Sequence, residues 1–284
     1  MATLLKGAPV VEALGAKMKA DIKHLNSKGI SPTLAILRVG EKPDDISYER
    51  TATKRSESVG VGVQNIILPD NITQDELIKN IEALNFDDNI HGVLIFRPLP
   101  KHIDEREVCS TLSPSKDIDG ITMRSLAGVF AGSDDGFAPC TAQAVLEILD
   151  FYEISCTGKK IAVVGRSLVV GKPVAVMLIG RNATVTVCHT KTIDIPSITK
   201  NADIIIAATG QMESLTKDYF NCGQVVIDVG INWNAEKGKL CGDVDFDDVE
   251  PIVAAITPVP GGVGTVTTSV LVSNVIKASK NTII

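Results

Sequence analysis

The sequence has few aromatic residues, no excess of positive charge and no long apolar run. Only 4% of its 284 residues are aromatic, too few for the stacking platforms that bind single-stranded nucleic acid. The 28 lysines and arginines against 34 acidic residues give a net charge of −6, which argues against binding along a phosphate backbone. No apolar run approaches the roughly 18 to 20 residues of a membrane span. We therefore expect neither a nucleic-acid partner nor a membrane span.

Motifs for metal binding, disulfide formation and secretion are also missing. The six cysteines are scattered without a C-x-x-C pair, and the four histidines form no H-E-x-x-H motif. The segment from Met1 to Gly7 lacks the charged-then-apolar order of a signal peptide. We expect no metal site, reduced thiols and a cytoplasmic location.

Strand and helix patterns alternate along the first half of the chain. A length of 284 residues, at about 150 residues per domain, predicts two domains. The patterns predict strands over residues 33–39, 65–68 and 92–96 and helices over 10–22, 47–58 and 75–84. Thr73 and Glu76 form a capping-box motif before the last of these helices. This order favours a parallel sheet covered by helices.

A second alternating block follows the Gly-, Asp- and Pro-rich segment 128–139, where we place the domain boundary. The predicted strands cover residues 160–164, 184–187, 203–208 and 224–229, and the predicted helices cover 141–152 and 173–179. The sequence therefore predicts two α/β domains.

A glycine turn follows the first strand of the second block. The strand runs into Gly165-Arg-Ser-Leu-Val-Val-Gly171 and then into a helix. Glycine lets the backbone approach a pyrophosphate, whose charge then lies at the helix N-terminus. Ser167 replaces the middle glycine of the usual dinucleotide motif. Such turns also occur without ligands, so the motif alone leaves that alternative open.

The end of the next predicted strand favours NADP over NAD. An acid there would bind the ribose 2′-hydroxyl of NAD, and the stretch Val187–Lys191 contains none. Arg166 and Lys191 offer cations, and Thr190 a hydroxyl, for the 2′-phosphate of NADP. The competing interpretation is that both cations are solvated surface groups, and NAD remains the alternative cofactor.

Six motifs occur together in an order that resembles one family. They are Lys116-Asp-Ile-Asp-Gly120, Pro139-Cys-Thr141, Gly165-Arg-Ser167, Gly230-Ile-Asn232, Gly242-Asp-Val244 and Thr257-Pro-Val-Pro-Gly-Gly-Val-Gly264. Over nearly its whole length the chain resembles methylenetetrahydrofolate dehydrogenase/cyclohydrolases of the FolD type. The resemblance implies NADP-dependent oxidation of 5,10-methylenetetrahydrofolate to 5,10-methenyltetrahydrofolate by a homodimer. It implies a folate-binding catalytic domain (1–140 plus 262–284) and a Rossmann NAD(P)-binding domain (141–261) that flank a cleft.

The same resemblance assigns residues to the two ligands. The implied catalytic residues are Tyr48, which would pack against the folate, and Asp119, which would accept hydrogen bonds from its amino-pterin edge. The implied folate contacts are Tyr48, Phe96, Asp119, Pro260, Gly261, Gly262 and Thr267. The implied cofactor contacts are Gly165, Arg166, Ser167, Gly171, Thr190, Lys191, Gly210 and Ile231. The alternatives are an interfacial aromatic at Tyr48 and a simple turn residue at Asp119, because Asp-Gly favours turns.

The sequence departs from the family pattern where the second activity is assigned. The family helix reads Tyr-x-x-x-Lys-x-Lys and this chain reads Tyr48-Glu-Arg-Thr-Ala-Thr-Lys54, so Ala52 replaces the cyclohydrolase lysine. Phe96 replaces the glutamine that partners this lysine. We therefore expect the chain to keep the dehydrogenase and to have lost most or all cyclohydrolase activity.

Two nearby cations are possible replacements, and the predicted geometry disfavours both. On a helix Lys54 turns away from the face shared by Tyr48 and Ala52. In a strand Arg97 points to the face opposite Phe96, and a guanidinium is a poor proton shuttle. Three alternatives stay open: a bifunctional enzyme with a rescued site, a silent folate-binding protein, and a dehydrogenase of the shikimate or amino-acid type.

Overall fold

A computed structural model of the chain describes residues 1–282 and divides it into two compact units. The six-stranded unit comprises Met1–Glu12 and Thr141–Thr267. The three-stranded unit comprises Ala13–Cys140 and the segment from Thr268 onward. Within residues 1–282 no helix is both long enough and apolar enough to cross a membrane.

The helices and strands alternate along much of the chain. The strands are β1 (Thr3–Leu4), β2 (Thr33–Val39), β3 (Gly62–Leu68), β4 (Gly92–Ile95), β5 (Lys160–Val164), β6 (Thr184–Cys188), β7 (Ile204–Ala207), β8 (Val225–Asp228), β9 (Asn232–Asn234), β10 (Lys239–Cys241) and β11 (Ala255–Ile256). The helices are α1 (Gly7–Ser27), α2 (Pro43–Val59), α3 (Gln74–Phe86), α4 (Glu105–Thr111), α5 (Met123–Ala131), α6 (Cys140–Phe151), α7 (Gly171–Gly180), α8 (Ile195–Lys200), α9 (Phe246–Val249) and α10 (Val263–Lys280).

The three-stranded unit contains a parallel sheet with the strand order β3-β2-β4. Strand β2 is buried along almost all of its length, as expected of a central parallel strand covered on both faces. The predicted capping box of α3 is confirmed: the Thr73 hydroxyl accepts from the Glu76 N–H, and the Glu76 carboxylate accepts from the Thr73 N–H at 3.0 Å. The start of α3 is thereby fixed by local hydrogen bonds.

The six-stranded unit contains a parallel sheet with the strand order β1-β11-β8-β7-β5-β6. The chain passes from β5 to β6 on one side and then returns to β7 on the other side of β5. The carboxyl ends of β5 and β7 therefore flank a switch point, where open α/β sheets bind their ligands. The predicted α/β class with parallel strands is confirmed.

Several predicted boundaries are wrong by a few residues. Helix α2 begins at Pro43 rather than at residue 47, because proline at its first position suits a helix start. Residues 128–131 of the predicted boundary segment are helical, since α5 continues to Gly132, whose φ of 65° ends it. Strand β4 ends at Ile95, one residue before the predicted end, although the Phe96 N–H still donates to the Leu37 carbonyl of β2 at 3.0 Å.

The compact units also differ from the predicted domains. Residues 1–12 belong to the six-stranded unit because β1 pairs with β11, with Thr3 opposite Ala255. The chain leaves this unit after Thr267 rather than at residue 262. The functional limits of the two domains stay a prediction.

Candidate functional site

Tyr48 lies on α2 and packs edge-on against Phe96. The ring centroids are 5.7 Å apart and the ring planes make an angle of 89°, an arrangement that aromatic pairs favour. Phe96 and Ala52 are buried, and Lys54 is exposed. The two positions to which the resemblance assigns a lysine and a glutamine thus hold buried apolar side chains.

Asp119 lies in a turn that its neighbours hold rigidly. The buried carboxylate of Asp117 accepts from the backbone N–H groups of residues 121 and 122 at 2.9 and 2.8 Å, and from the Ser125 hydroxyl at 2.6 Å. Gly120 has a φ of +65°, and a Cβ there would lie 2.5 Å from the backbone nitrogen of Pro139. The Asp-Gly turn therefore exists, and it holds Asp119 in a fixed position.

The same motif is anchored to α3 by its lysine. The Lys116 ammonium donates to the carbonyls of Leu84 and Asp87, each at 2.7 Å. These two residues lie at the C-terminal end of α3, where helix carbonyls lack intrahelical partners. Lys116, Asp117 and Gly120 thus serve to position Asp119.

Asp119 and Tyr48 influence each other electrostatically. Burial raises the pKa of Tyr48 far above its ordinary value, and the charge of Asp119 raises it further, against a hydrogen bond from Thr268. Burial raises the pKa of Asp119 to about 6, although the Cys140 thiol and the Arg97 guanidinium both lower it. At neutral pH the site therefore holds a protonated phenol and a carboxyl group whose pKa, at about 6, is close to neutral.

Arg97 follows Phe96 and acts electrostatically on Asp119. Strand β4 ends at Ile95, and Arg97 precedes a cis peptide bond to Pro98. Its guanidinium Nη1 lies 3.3 Å from Glu105 Oε1, and its charge lowers the pKa of Asp119. That the Arg97 side chain points to the face opposite Phe96 stays a prediction.

The remaining predicted folate contacts lie in the six-stranded unit. Pro260 follows a cis peptide bond, and Gly261 has a φ of +102° while its carbonyl accepts from the Gly7 N–H at 2.7 Å. Gly262 is buried, and the Thr267 hydroxyl donates to the Val263 carbonyl on α10 at 3.2 Å. That these four residues and the Tyr48–Asp119 pair contact one folate stays a prediction.

The predicted cofactor turn lies at the switch point of the six-stranded sheet. Gly165 has a φ of +140°, and a Cβ on it would overlap the Ala208 carbonyl oxygen after β7. A Cβ on Gly171 would overlap the Gly165 carbonyl oxygen. The Ser167 hydroxyl accepts from the Val170 N–H at 3.1 Å. Both glycines are required because the turn passes this close to its neighbours, and it leads directly into α7.

The two predicted cations, Arg166 and Lys191, lie just beyond the carboxyl ends of adjacent strands. Val164 of β5 pairs with Cys188 of β6, so Arg166 and the Thr190–Lys191 stretch extend from adjacent strand ends. Arg166, Thr190 and Lys191 are exposed. A glycine turn at a helix N-terminus beside two exposed cations fits the diphosphate and 2′-phosphate of NADP. The residues present therefore suit the cofactor.

Gly210 and Ile231 occupy turns at the neighbouring strand ends. Gly210 follows β7 with a φ of +66°, and Ile231 follows β8 and is 59% exposed. A Cβ on Gly264 would lie 2.6 Å from Ile231 Cδ1, so this glycine makes room for the isoleucine. Within the described residues no group of three His, Cys, Asp or Glu side chains could hold a metal ion.

Sequence reasoning missed two buried carboxylates beneath these turns. Asp228 and Asp243 are 3% and 0% exposed, and neither was assigned a role. The available signal was the Gly242-Asp-Val motif, in which a glycine precedes an acid. The structure places both carboxylates among backbone N–H donors from the turns after β7 and β8.

The fold and these sites define a two-unit α/β protein that carries a Rossmann-type dinucleotide-binding sheet. The family model for the tetrahydrofolate dehydrogenase/cyclohydrolase catalytic domain matches residues 5–119, and the model for the NAD(P)-binding domain matches residues 139–283. The chain belongs to the tetrahydrofolate dehydrogenase/cyclohydrolase family.

Similar proteins cover the chain from end to end. The bifunctional protein FolD of Carboxydothermus hydrogenoformans is 49% identical over 279 residues, which are 98% of this chain and 97% of that protein. The crystal structure of bifunctional FolD from Campylobacter jejuni is 40% identical, covers 99% of both chains and has a TM-score of 0.96. The FolD of Trypanosoma brucei, solved with NADP cofactor and an inhibitor, is 33% identical with a TM-score of 0.93 and covers 99% of this chain and 98% of that one.

Proposed function

We propose that this chain oxidises 5,10-methylenetetrahydrofolate to 5,10-methenyltetrahydrofolate with NADP. The observation that carries the proposal is the rigid turn that holds Asp119 beside Tyr48 in one unit. The glycine turn with Arg166 and Lys191 in the other unit supports the choice of cofactor. The relatives named above as dehydrogenase/cyclohydrolases support the choice of substrate.

In the dehydrogenase step the chain mainly binds and orients the folate and the cofactor. When bound, NADP accepts the hydride, and the protein holds the two ligands in a reactive geometry. The ionised Asp119 carboxylate accepts hydrogen bonds from the amino-pterin edge. Tyr48 presents an apolar ring surface that excludes water from the folate. Its phenol stays protonated at neutral pH and therefore does not act as a base.

We further propose that cyclohydrolase activity is lost or very weak. Hydrolysis of the methenyl product needs a group that moves a proton to and from water near neutral pH. Ala52 and Phe96 have no titratable group, and the phenol of Tyr48 titrates far above neutral pH. Asp119 titrates in the right range, but in the proposed complex its oxygens accept from the pterin.

Retained cyclohydrolase activity is the second candidate, and the position of Arg97 favours it. This cation beside Asp119 supplies a positive charge that the missing lysine would have brought. Arginine stabilises negative charge but does not release a proton near neutral pH. Arg97 therefore assists binding in our proposal and does not replace the lysine as a proton carrier.

We also propose that the enzyme is a cytoplasmic homodimer. Strand β3 is an edge strand of its sheet, seven residues long, and its Ile67 is 55% exposed. Such an edge invites pairing with another strand. All six cysteines, which lie within the described residues, are free thiols, as a reducing compartment favours.

One assay separates the proposed function from its alternatives. Purified protein is mixed with methylenetetrahydrofolate and either NADP or NAD, and nicotinamide reduction is followed. We expect reduction with NADP and slower reduction with NAD. Tight folate binding without any reduction would contradict the proposal and indicate a silent folate-binding protein.

A further inference from the structure

Two turns at the carboxyl edge of the six-stranded sheet share one buried carboxylate. The Oδ2 atom of Asp243 accepts from the N–H groups of Thr209 and Gly210, at 2.6 and 2.9 Å, in the turn after β7. Its Oδ1 atom accepts from the Asn232 side-chain amide at 3.1 Å, just after the turn that follows β8. A single side chain thus ties both turns together.

A second buried carboxylate holds Asp243 in place. The Oδ1 atom of Asp228 accepts from the N–H groups of Gly230 and Asp243, both at 3.0 Å, and its Oδ2 atom accepts from the Val244 N–H at 2.9 Å. The Thr257 hydroxyl accepts from the Asp228 N–H at 2.7 Å. Burial raises the pKa of Asp228 to about 7. Asp228 thus holds the backbone that carries Asp243, and the test below uses Asp243 because its own carboxylate reaches both turns.

Two glycines of the sequence motifs admit these carboxylates. A Cβ on Gly230 would overlap Oδ1 of Asp243, and a Cβ on Gly242 would overlap Oδ2 of Asp228. The Gly230-Ile-Asn and Gly242-Asp-Val motifs are therefore two sides of one hydrogen-bonded network. Any side chain at either glycine would push a carboxylate away from its backbone donors.

We propose that Asp243 is a positioning residue for the nicotinamide cofactor, acting by fixing the turns that carry Gly210 and Ile231. The inference rests on the proposed function, which assigns those two residues to the cofactor. Both turns lie at the sheet edge where dinucleotides bind. The carboxylate is specifically required because it accepts at both oxygens, whereas an asparagine would turn an N–H donor toward backbone or amide donors.

The test measures cofactor binding directly in an Asp243→Asn variant. We expect the Kd for NADPH, from fluorescence titration, to rise about tenfold or more while the KM for methylenetetrahydrofolate stays within about twofold. The matched control is Asp203→Asn: Asp203 also accepts from a backbone N–H, that of Lys160 at 2.8 Å, but at the opposite edge of the sheet. We expect its Kd for NADPH to stay within about twofold of the parent value.

A milder variant keeps the test decisive if Asp243→Asn does not fold. Asn232→Ser removes the amide donor and leaves the backbone bonds of Asp243 intact, and we expect its Kd for NADPH to rise about threefold. A folded Asp243→Asn with a Kd within about twofold of the parent would overturn the inference, as would an unchanged Asn232→Ser when the first variant fails.

The binding measurement also separates this inference from the reaction itself. A parent protein that binds NADPH without oxidising the folate overturns only the proposed activity, and the Asp243 comparison stands. A parent that binds neither NADPH nor NADH overturns the proposed cofactor and this inference together. An equal loss of affinity for cofactor and folate in Asp243→Asn would indicate a general structural role and contradict a positioning one.

Discussion

The ring of Phe96 meets the ring of Tyr48 edge-to-face, with centroids 5.7 Å apart. In related enzymes the resemblance assigns this position to a glutamine that partners a catalytic lysine, and here that lysine position holds the buried Ala52. In our proposal the aromatic contact takes the place of that polar pair. Neither Ala52 nor Phe96 has a titratable group, so neither position offers a proton carrier.

Restoring the polar pair should restore some of the missing chemistry. We expect Ala52→Lys combined with Phe96→Gln to hydrolyse methenyltetrahydrofolate at least about tenfold faster than the parent, because a desolvated lysine can titrate near neutral pH. Phe96→Gln alone is the control and should give no gain, since it adds no titratable group. A folded double variant that binds folate and shows no gain would contradict this assignment.

The pH dependence of folate use should report Asp119. If the ionised carboxylate binds the pterin as proposed, kcat/KM for methylenetetrahydrofolate should fall as pH drops through about 6, the pKa of Asp119. The Arg97→Leu variant should move this fall to higher pH, because the arginine charge lowers the pKa of Asp119. Lys101→Gln, at an exposed loop residue, is the control. An unchanged profile in Arg97→Leu would show that the guanidinium does not act on Asp119.

The cofactor turn should be intolerant of side chains at its first glycine. Gly165→Ala places a Cβ against the Ala208 carbonyl at a φ of +140°, so we expect a loss of several kcal/mol in the free energy of unfolding, on the order of 3. Gly180→Ala, at the end of α7 with open space around it, should be neutral or stabilising by up to about 1 kcal/mol. Denaturant titration of both variants compares them, and equal stabilities would refute the close approach.

Lys191 should select between the two nicotinamide cofactors. We expect Lys191→Ala to raise the KM for NADP about tenfold and to leave the KM for NAD within about twofold, because only NADP carries a 2′-phosphate. Lys200→Ala removes an exposed lysine from α8 in the same unit and serves as the control. Equal effects on both cofactors would place Lys191 outside the 2′-phosphate site.

Local patterns predicted the elements that local forces determine. Strands 33–39 and 160–164 match the structure, and so does the Thr73–Glu76 capping box, because apolar runs and caps depend on near neighbours in sequence. The effect of Arg97 on the pKa of Asp119 was not predicted, because the two residues lie far apart along the chain. Asp243 was missed because its backbone donor Thr209 lies 34 positions away along the chain, and no local pattern joins them.

The most direct test of the central claim measures both family activities on one preparation of the unmodified protein. With methylenetetrahydrofolate and NADP we predict that methenyltetrahydrofolate forms and accumulates, and that its conversion to formyltetrahydrofolate does not exceed the spontaneous rate. Enzymatic conversion of the methenyl product at a rate comparable with its formation would contradict the account.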